Sequence, residues 1–334
     1  MSPLPEARKV LVMELAGLGD NVHLIPALWL VRRRWPEAEL HLMVNAHVAS
    51  LFKLTPWVNR ILPYPSSPKP GLRESLRWAG ELRREKYDVV VNTTGADRSS
   101  LLTWATRAPR RIGRRPADGG PPGWSALYTD VVEQPFYREP MFRQKWRCLF
   151  QAGFPAGAEP EFKVEIDPAL RRQAGIEPGD EGTYFHVSPF TTADERELPA
   201  EQVVELIAGL RAAYPEKRIA LSCAATDRER DRMGALLAQV KEPPWRVYAG
   251  TLDVAALAAV IEKCTCNLSG DTGSLHLAMM TRSPAVAWFR AHRGEKEWTP
   301  EGPRYRVLVS EGGARDALNG IETRALLQAV AKVA

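Results

Sequence analysis

Short apolar runs alternate along this chain with segments whose apolar residues recur every three to four positions. Runs of the first kind are typical of buried strands, and segments of the second kind are typical of amphipathic helices. In the first half the pattern predicts strands at residues 9–15, 39–44, 60–62 and 87–92, and helices at residues 21–34, 47–54, 72–85 and 144–152. Residues 107–142 show no clear period and are predicted to be long loops. Alternation of strand and helix predicts a parallel sheet with right-handed crossovers.

The same alternation restarts after residues 155–182, a segment with several prolines and glycines that is predicted to be a linker. The pattern then predicts strands at 184–188, 218–222, 246–248, 265–269 and 285–288, and helices at 200–213, 227–240, 254–263, 274–280 and 319–333. A chain of 334 residues is long enough for two cores. The sequence therefore predicts an α/β protein of two Rossmann-like domains, residues 1–165 and 166–316, followed by a terminal helical segment, residues 317–334.

Two motifs with related sequences lie far apart, AGLGDNVHLIPAL at residues 16–28 and SGDTGSLHLA at residues 269–278. Each reads as a strand, a glycine-containing turn with an aspartate, and a helix. Such a turn directs backbone N–H groups and the positive end of a helix dipole at one point, which suits a diphosphate. Ligands of parallel α/β sheets bind at the carboxyl ends of strands, where both motifs lie. We therefore expect two similar half-proteins that face each other across a cleft.

The first motif resembles the opening of a dinucleotide-binding fingerprint, but the resemblance ends there. Val22 stands where the third glycine is required, and Asn45 stands where an acidic residue would hold the ribose. No Gly-Lys-Ser/Thr follows the glycines, so a P-loop is excluded. Two interpretations of Asp20 stay open: it caps the following helix, or it is a carboxylate that accepts a proton from an attacking hydroxyl.

The composition of the chain limits the classes of binding partner and the expected location of the protein. The chain has 45 Lys and Arg against 40 Asp and Glu, a formal net charge of +5, which does not indicate nucleic-acid binding. Basic clusters at residues 32–34, 83–84 and 107–115 are typical of solvated helix faces and loops. Their shared location in the first half also allows that half to meet an anionic partner, such as a phosphorylated glycolipid or an acidic membrane surface. Four scattered cysteines predict neither disulfides nor a zinc site, and the sequence shows no export signal or membrane span. A cytoplasmic protein is expected.

Five segments together resemble glycosyltransferase family nine, the lipopolysaccharide heptosyltransferases. They are GLGDNVHLIPAL, DVVVNTTGADRSSLL, PRRIGR, SPFTTADERELP and SGDTGSLHLA, in the order and spacing of the family. The resemblance implies a GT-B fold with an acceptor-side first domain, a donor-side second domain, and a terminal helix that packs back on the first domain. It implies transfer of heptose, with inversion, from ADP-heptose to the growing inner core of lipopolysaccharide. The favoured hypothesis is an inverting glycosyltransferase that acts on a lipopolysaccharide-core-type or other saccharide acceptor at the cytoplasmic face of the inner membrane. A non-catalytic relative that binds a sugar nucleotide or glycan is the alternative.

The resemblance also implies roles for individual residues, with Asp20 as the general base. On the donor side it implies Thr191, Thr192, Arg196, Asp227 or Glu229, Leu252, Asp271, Thr272, Gly273 and His276. On the acceptor side it implies Gly19, Asn21, His23, Thr94, Gly95 and Arg98. Arg196 stands where the family often has a lysine, and residues 93–97 depart from the usual acceptor-side pattern. No metal and no cofactor other than the nucleotide-sugar donor is expected.

Overall fold

The structure is a computed structural model that describes residues 4–65, 68, 70–134, 136–155, 159–292, 294–311, 318 and 320–334. It divides into two units, Met1–Glu165 and Ile166–Ala334. Each unit contains a six-stranded sheet in which every strand pair is parallel.

The first unit contains the motif at residues 16–28. Its strands are β1 (Lys9–Glu14), β2 (Glu39–Asn45), β3 (Arg60–Tyr64), β4 (Val89–Asn92), β5 (Arg110–Arg114) and β6 (Asp130–Val132). Its helices are α1 (Leu18–Arg34), α2 (Leu72–Arg84), α3 (Asp97–Ala105) and α4 (Met141–Gln151), with 3₁₀ helices at Ala46–Leu54 and Trp124–Leu127. The strand order is β3-β2-β1-β4-β5-β6, so the direction of winding reverses between β1 and β4. Ligands bind at such a switch point in doubly wound sheets.

The second unit repeats this topology. Its strands are β7 (Tyr184–Ser188), β8 (Arg218–Cys223), β9 (Arg246–Ala249), β10 (Cys266–Gly270), β11 (Ala285–Phe289) and β12 (Tyr305–Val309). Its helices are α5 (Pro168–Gln173), α6 (Ala200–Ala213), α7 (Asp227–Leu237), α8 (Val254–Lys263), α9 (Gly273–Thr281), α10 (Glu295–Trp298) and α11 (Thr323–Val330), with a 3₁₀ helix at Asp194–Arg196. The order β12-β11-β10-β7-β8-β9 places the switch point between β7 and β10.

The central strands are buried on both faces, which is why they read as continuous apolar runs in the sequence. In β1, for example, Val10, Leu11, Val12 and Met13 are at most 1% exposed. Glu14, the last residue of that strand, is equally buried. A carboxylate at such a position requires polar partners.

The prediction of long loops at residues 107–142 is wrong, because β5 and β6 lie there. In β5 only Ile112 and Gly113 are buried, and β6 has three residues. Neither strand is long or apolar enough to produce a recognisable hydrophobic run. Gly113 is required by its packing, since a Cβ atom there would lie 2.4 Å from the Tyr128 ring. The sequence pattern also missed α3 and β12, and α1 begins at Leu18 rather than at residue 21.

The last helix belongs to the second unit. Leu326 and Val330 of α11 join its core, and Leu327 packs on Gly209 of α6 so closely that a Cβ atom at Gly209 would lie 2.5 Å from it. The predicted domain boundary at 316 and the predicted helix start at residue 319 lie outside the described residues. Packing of this segment on the first domain stays a prediction. Across the described ranges, no helix combines the length and the apolar character needed to cross a membrane.

Candidate active site

The first motif lies at the switch point of the first sheet. β1 ends at Glu14, and α1 begins four residues later with Gly17 as its N-cap. On the neighbouring strand β4, the amide of the following residue, Thr93, donates to the carbonyl of Met13 at 3.0 Å. The chain segments that follow β1 and β4 therefore meet at one edge of the sheet.

Asp20 is the third residue of α1, so it is not the N-cap. Its side chain is 30% exposed, and its Oδ1 lies 3.6 Å from Nζ of Lys145 on α4. The first turn of a helix favours a carboxylate because the dipole is positive there. Asp20 is thus a solvent-accessible carboxylate at the expected ligand edge, which is what a general base requires.

Two buried charged residues near Asp20, Lys145 and Glu14, are not among the site residues predicted from the sequence. Lys145 is 2% exposed, and its ammonium contacts the carboxylate of Glu14, which is 1% exposed. Glu14 also accepts hydrogen bonds from the hydroxyls of Thr93 at 2.6 Å and Thr94 at 3.2 Å. The one feature of the sequence that could have indicated this pair is Glu14, a glutamate at the end of an apolar strand. Its partner lies 131 positions away in sequence.

Two predicted acceptor-side residues are buried and shape the turn. The Asn21 side-chain amide donates to the carbonyls of Gly17 at 2.8 Å and Ala16 at 3.2 Å. His23 Nδ1 accepts from the amide of Phe142 at 3.0 Å, which joins α1 to α4. Their side chains are at most 1% exposed, so their geometry suits holding the turn that carries Asp20.

The other predicted acceptor-side residues lie around the same edge. The Thr94 hydroxyl accepts from the Leu15 amide at 2.7 Å. Gly95 has φ +71°, and a Cβ atom there would lie 2.7 Å from the Arg114 carbonyl oxygen, so this turn requires glycine. Gly19 and Arg98 are partly exposed in the first turns of α1 and α3.

The second motif lies at the switch point of the second sheet, after β10. Ser269 is in register with Ser188, the last residue of β7. The segment after β7 carries Arg196, whose Nη1 lies 3.2 Å from Oδ2 of Asp271. Arg196 is 40% exposed and Asp271 is 11% exposed. The fold therefore places an accessible guanidinium beside the start of α9.

The amino end of α9 completes this arrangement. Its N-cap, Thr272, has extended backbone and makes no side-chain cap hydrogen bond within the described structure. First-turn N–H groups beginning at Gly273 are available to an anion, as at other phosphate-binding helix termini. Gly270 permits the close approach of the segment after β7, because a Cβ atom there would lie 3.0 Å from the Arg196 carbonyl oxygen. A cation and a helix amino terminus at one point suit a diphosphate.

Of the two predicted donor threonines, Thr191 is buried and holds its own loop together. Its amide donates to Glu197 at 2.8 Å, and its hydroxyl donates to the Ala193 carbonyl at 2.7 Å. Arg228 braces the same loop by donating to the Thr191 carbonyl at 2.9 Å. Thr192 is exposed. The geometry therefore favours Thr192 as the threonine whose side chain could contact a donor.

The buried histidines of this unit are neutral at physiological pH. Burial lowers the pKa of His276, in the first turn of α9, to about 4, and its ring packs 5.5 Å from that of Trp298. Burial likewise lowers the pKa of His186 to about 4. His186 bonds Asn267 at 2.7 Å, and Asn267 in turn accepts from the Ser274 hydroxyl of α9 at 2.8 Å. This network connects α9 to the sheet, and no motif in the sequence predicts it.

The predicted nucleoside contacts lie near the ends of β8 and β9. Asp227 is 96% exposed and lies 3.2 Å from Arg230. Glu229 is buried, and burial raises its pKa. Its carboxylate accepts from the Ala224 amide at 2.7 Å and so braces the turn before α7. Leu252 is partly buried and packs against a hydrophobic cluster that includes Tyr184 and Tyr248. Among the described residues, no group of three or more His, Cys, Asp or Glu side chains could share a metal ion.

Comparison with known proteins identifies a family. The sequence model of glycosyltransferase family 9 (heptosyltransferase) matches residues 75–319, more than half of the chain. The lipopolysaccharide core heptosyltransferase OpsX of Haemophilus influenzae is 22% identical over 293 residues, which cover 86% of this chain and 80% of that protein. Lipopolysaccharide heptosyltransferase 1 of Pseudomonas aeruginosa is 26% identical over 307 residues, 84% of this chain and 78% of that protein.

A solved structure agrees in fold. The E. coli heptosyltransferase WaaC, solved with ADP, superposes with a TM-score of 0.79 at 20% sequence identity, and the match covers 98% of this chain and 100% of that one. At 20% identity, this structural similarity supports the fold alone. The prediction of a GT-B fold built from two Rossmann-like units is confirmed.

Proposed function

This chain belongs to glycosyltransferase family 9 and is a glycosyltransferase, and on that premise we propose that it transfers heptose from an ADP-linked donor to an acceptor of the lipopolysaccharide-core type. The names of its relatives support the sugar and the acceptor, and the ADP in one related structure supports the nucleotide. The observation that carries the proposal is the accessible carboxylate of Asp20 at the switch point of the first sheet.

The chemistry proposed is a direct displacement with inversion. The acceptor hydroxyl attacks the anomeric carbon from the face opposite the diphosphate, while the bond from that carbon to the phosphate oxygen breaks. The hydroxyl proton goes to the Asp20 carboxylate, which acts as general base. The bonding electrons leave with ADP, whose added negative charge is stabilised by Arg196 and the amino terminus of α9.

Donor identity can be tested by thermal stabilisation with ADP, UDP and GDP. We expect ADP to raise the melting temperature and the other two nucleotides to have little effect. At a ligand concentration about 100 times Kd, the expected stabilisation is about 2.7 kcal/mol. Stabilisation by UDP or GDP alone would contradict the ADP assignment, and no response to any nucleotide would contradict the donor site itself.

We also propose that the first unit contacts the membrane that carries the acceptor, through α2 and α3. Leu72 and Leu76 on α2 are 78% and 63% exposed, and Leu101 on α3 is 57% exposed. Exposed arginines, Arg73 and Arg77 among them, lie next to the leucines on α2. Exposed apolar side chains beside basic ones are typical of a helix that lies on an anionic lipid surface.

Vesicle flotation tests this surface. The protein is expected to float with vesicles of phosphatidylcholine and phosphatidylglycerol, and the Leu72→Ser/Leu76→Ser variant is expected to lose most of that binding because the inserted apolar area is removed. Val309→Ser, at a hydrophobic residue of β12 that is 39% exposed, is the matched control. Equal flotation of the α2 variant and the control would show that α2 does not dock.

A further inference from the structure

The buried pair of Glu14 and Lys145 is placed differently from an ordinary core ion pair. Lys145 extends from α4, which packs against α1, to the carboxyl end of β1. Its ammonium contacts Glu14 on one side and lies 3.6 Å from Asp20 on the other. One cation thus joins a carboxylate that is 1% exposed to one that is 30% exposed, at the edge where the sheet binds ligands.

The hydrogen bonds around Glu14 show that this carboxylate is the fixed member of the pair. Both hydroxyls that follow β4, those of Thr93 and Thr94, donate to Glu14. The backbone amide of Thr93 donates to the carbonyl of Met13 at 3.0 Å. Glu14 is therefore held by two strands, and it in turn holds the ammonium of Lys145. Asp20 is the least buried of the three charged groups.

We propose that Glu14 and Lys145 are positioning residues for the general base, so that the base is a three-residue unit rather than Asp20 alone. This inference rests on the proposed role of Asp20. The Lys145 ammonium attracts Oδ1 and limits the rotamers of the side chain. The other oxygen, Oδ2, lies on the side of the Gly17 turn, 3.9 Å from where a Cβ atom of residue 17 would be. Oδ2 is then the atom that receives the acceptor proton.

A purely structural role would not require this geometry. A buried ion pair contributes little net stability, because desolvation opposes the attraction, and apolar replacements are often tolerated. Contact with a third, accessible carboxylate adds nothing to the burial of the pair. Orientation of a catalytic group, in contrast, depends on such support, since a displacement of about 1 Å can lower a rate about 100-fold.

The test removes both charges together, because loss of Lys145 alone would leave a buried carboxylate without its cation. In Glu14→Gln/Lys145→Met we expect kcat for sugar transfer to fall by about 10- to 100-fold, with donor KM and ADP Kd unchanged. The matched control is Arg110→Met/Asp130→Asn, which neutralises an ion pair of 2.7 Å at the amino ends of β5 and β6. A folded Glu14→Gln/Lys145→Met variant with the kcat of the control would overturn the proposal.

A second measurement applies if that variant does not fold. Glu14→Gln/Lys145→Gln keeps polar groups at both positions, and it is expected to show the same loss of kcat. Each double change is also made in an Asp20→Asn background. There it should cause no further loss of kcat if the pair acts through Asp20. A further loss there would show that the pair acts independently and would overturn the inference. If Asp20→Asn by itself retained kcat, the base assignment would fail instead, so the two failures are distinguishable.

Discussion

Replacement of Asp20 by asparagine is expected to lower kcat for sugar transfer by about 10²- to 10⁴-fold, the range typical of a lost general base. Asparagine keeps the size of the side chain and its place in the first turn of α1 but cannot accept the hydroxyl proton. ADP affinity should not change, because the proposed nucleotide contacts all lie in the second unit. Steady-state kinetics and titration calorimetry with ADP measure the two quantities separately.

The matched control for this prediction is Asp231→Asn, which removes an exposed carboxylate on α7. It should leave kcat and ADP affinity as they are. If the kcat of Asp20→Asn were within about threefold of that of the control, the loss would be far smaller than the loss expected when a general base is removed. Another group would then have to take the proton.

Replacement of Arg196 by glutamine is expected to weaken ADP binding by about 10- to 100-fold, because hydrogen bonds to charged groups contribute about 1.5–3 kcal/mol. The change also removes the ion-pair partner of Asp271, which is 11% exposed and would then lie uncompensated near the phosphates. The ADP affinity of Arg196→Lys should lie between those of the wild-type protein and Arg196→Gln, since an ammonium keeps the charge but not the planar pair of donors. Calorimetry with ADP gives the three dissociation constants.

Arg211→Gln is the control for the donor site. Arg211 lies in the last turn of α6 and pairs with Glu242 at 3.7 Å, away from the carboxyl ends of the strands. Its replacement should leave ADP affinity unchanged. Equal affinity of Arg196→Gln and the control would show that Arg196 does not bind the diphosphate.

The predicted elements show where periodicity was sufficient. Strands buried on both faces, such as β1, β4, β7 and β10, produce uninterrupted apolar runs, and each was predicted to within a few residues. β5, β6 and β12 lie toward the sheet edges and carry few fully buried side chains. Their pairing depends on a neighbouring strand and not on their own pattern, so the sequence alone did not reveal them.

Some features of the candidate site could likewise be predicted from the sequence, and others could not. The positions of Asp20 and Asp271 follow from local chain order, because a glycine turn between a strand and a helix places the next residues at the strand's carboxyl end. The roles of their neighbours do not follow from chain order. Asn21 and His23 stand in the first motif, yet they are buried in the turn and against α4. Thr191 stands in a donor motif, yet its polar groups close its own loop.

By itself the sequence determined two α/β halves, the two glycine turns and, through its motifs, the family. These depend on spacing along the chain, which backbone geometry converts directly into strands, helices and turns. Only the tertiary structure decided that β1 lies beside β4 and β7 beside β10. That pairing places Arg196 beside Asp271, and the packing of α4 on α1 places Lys145 between Glu14 and Asp20. Buried charges must find partners wherever the packed chain provides them, and no local pattern records which residues those are.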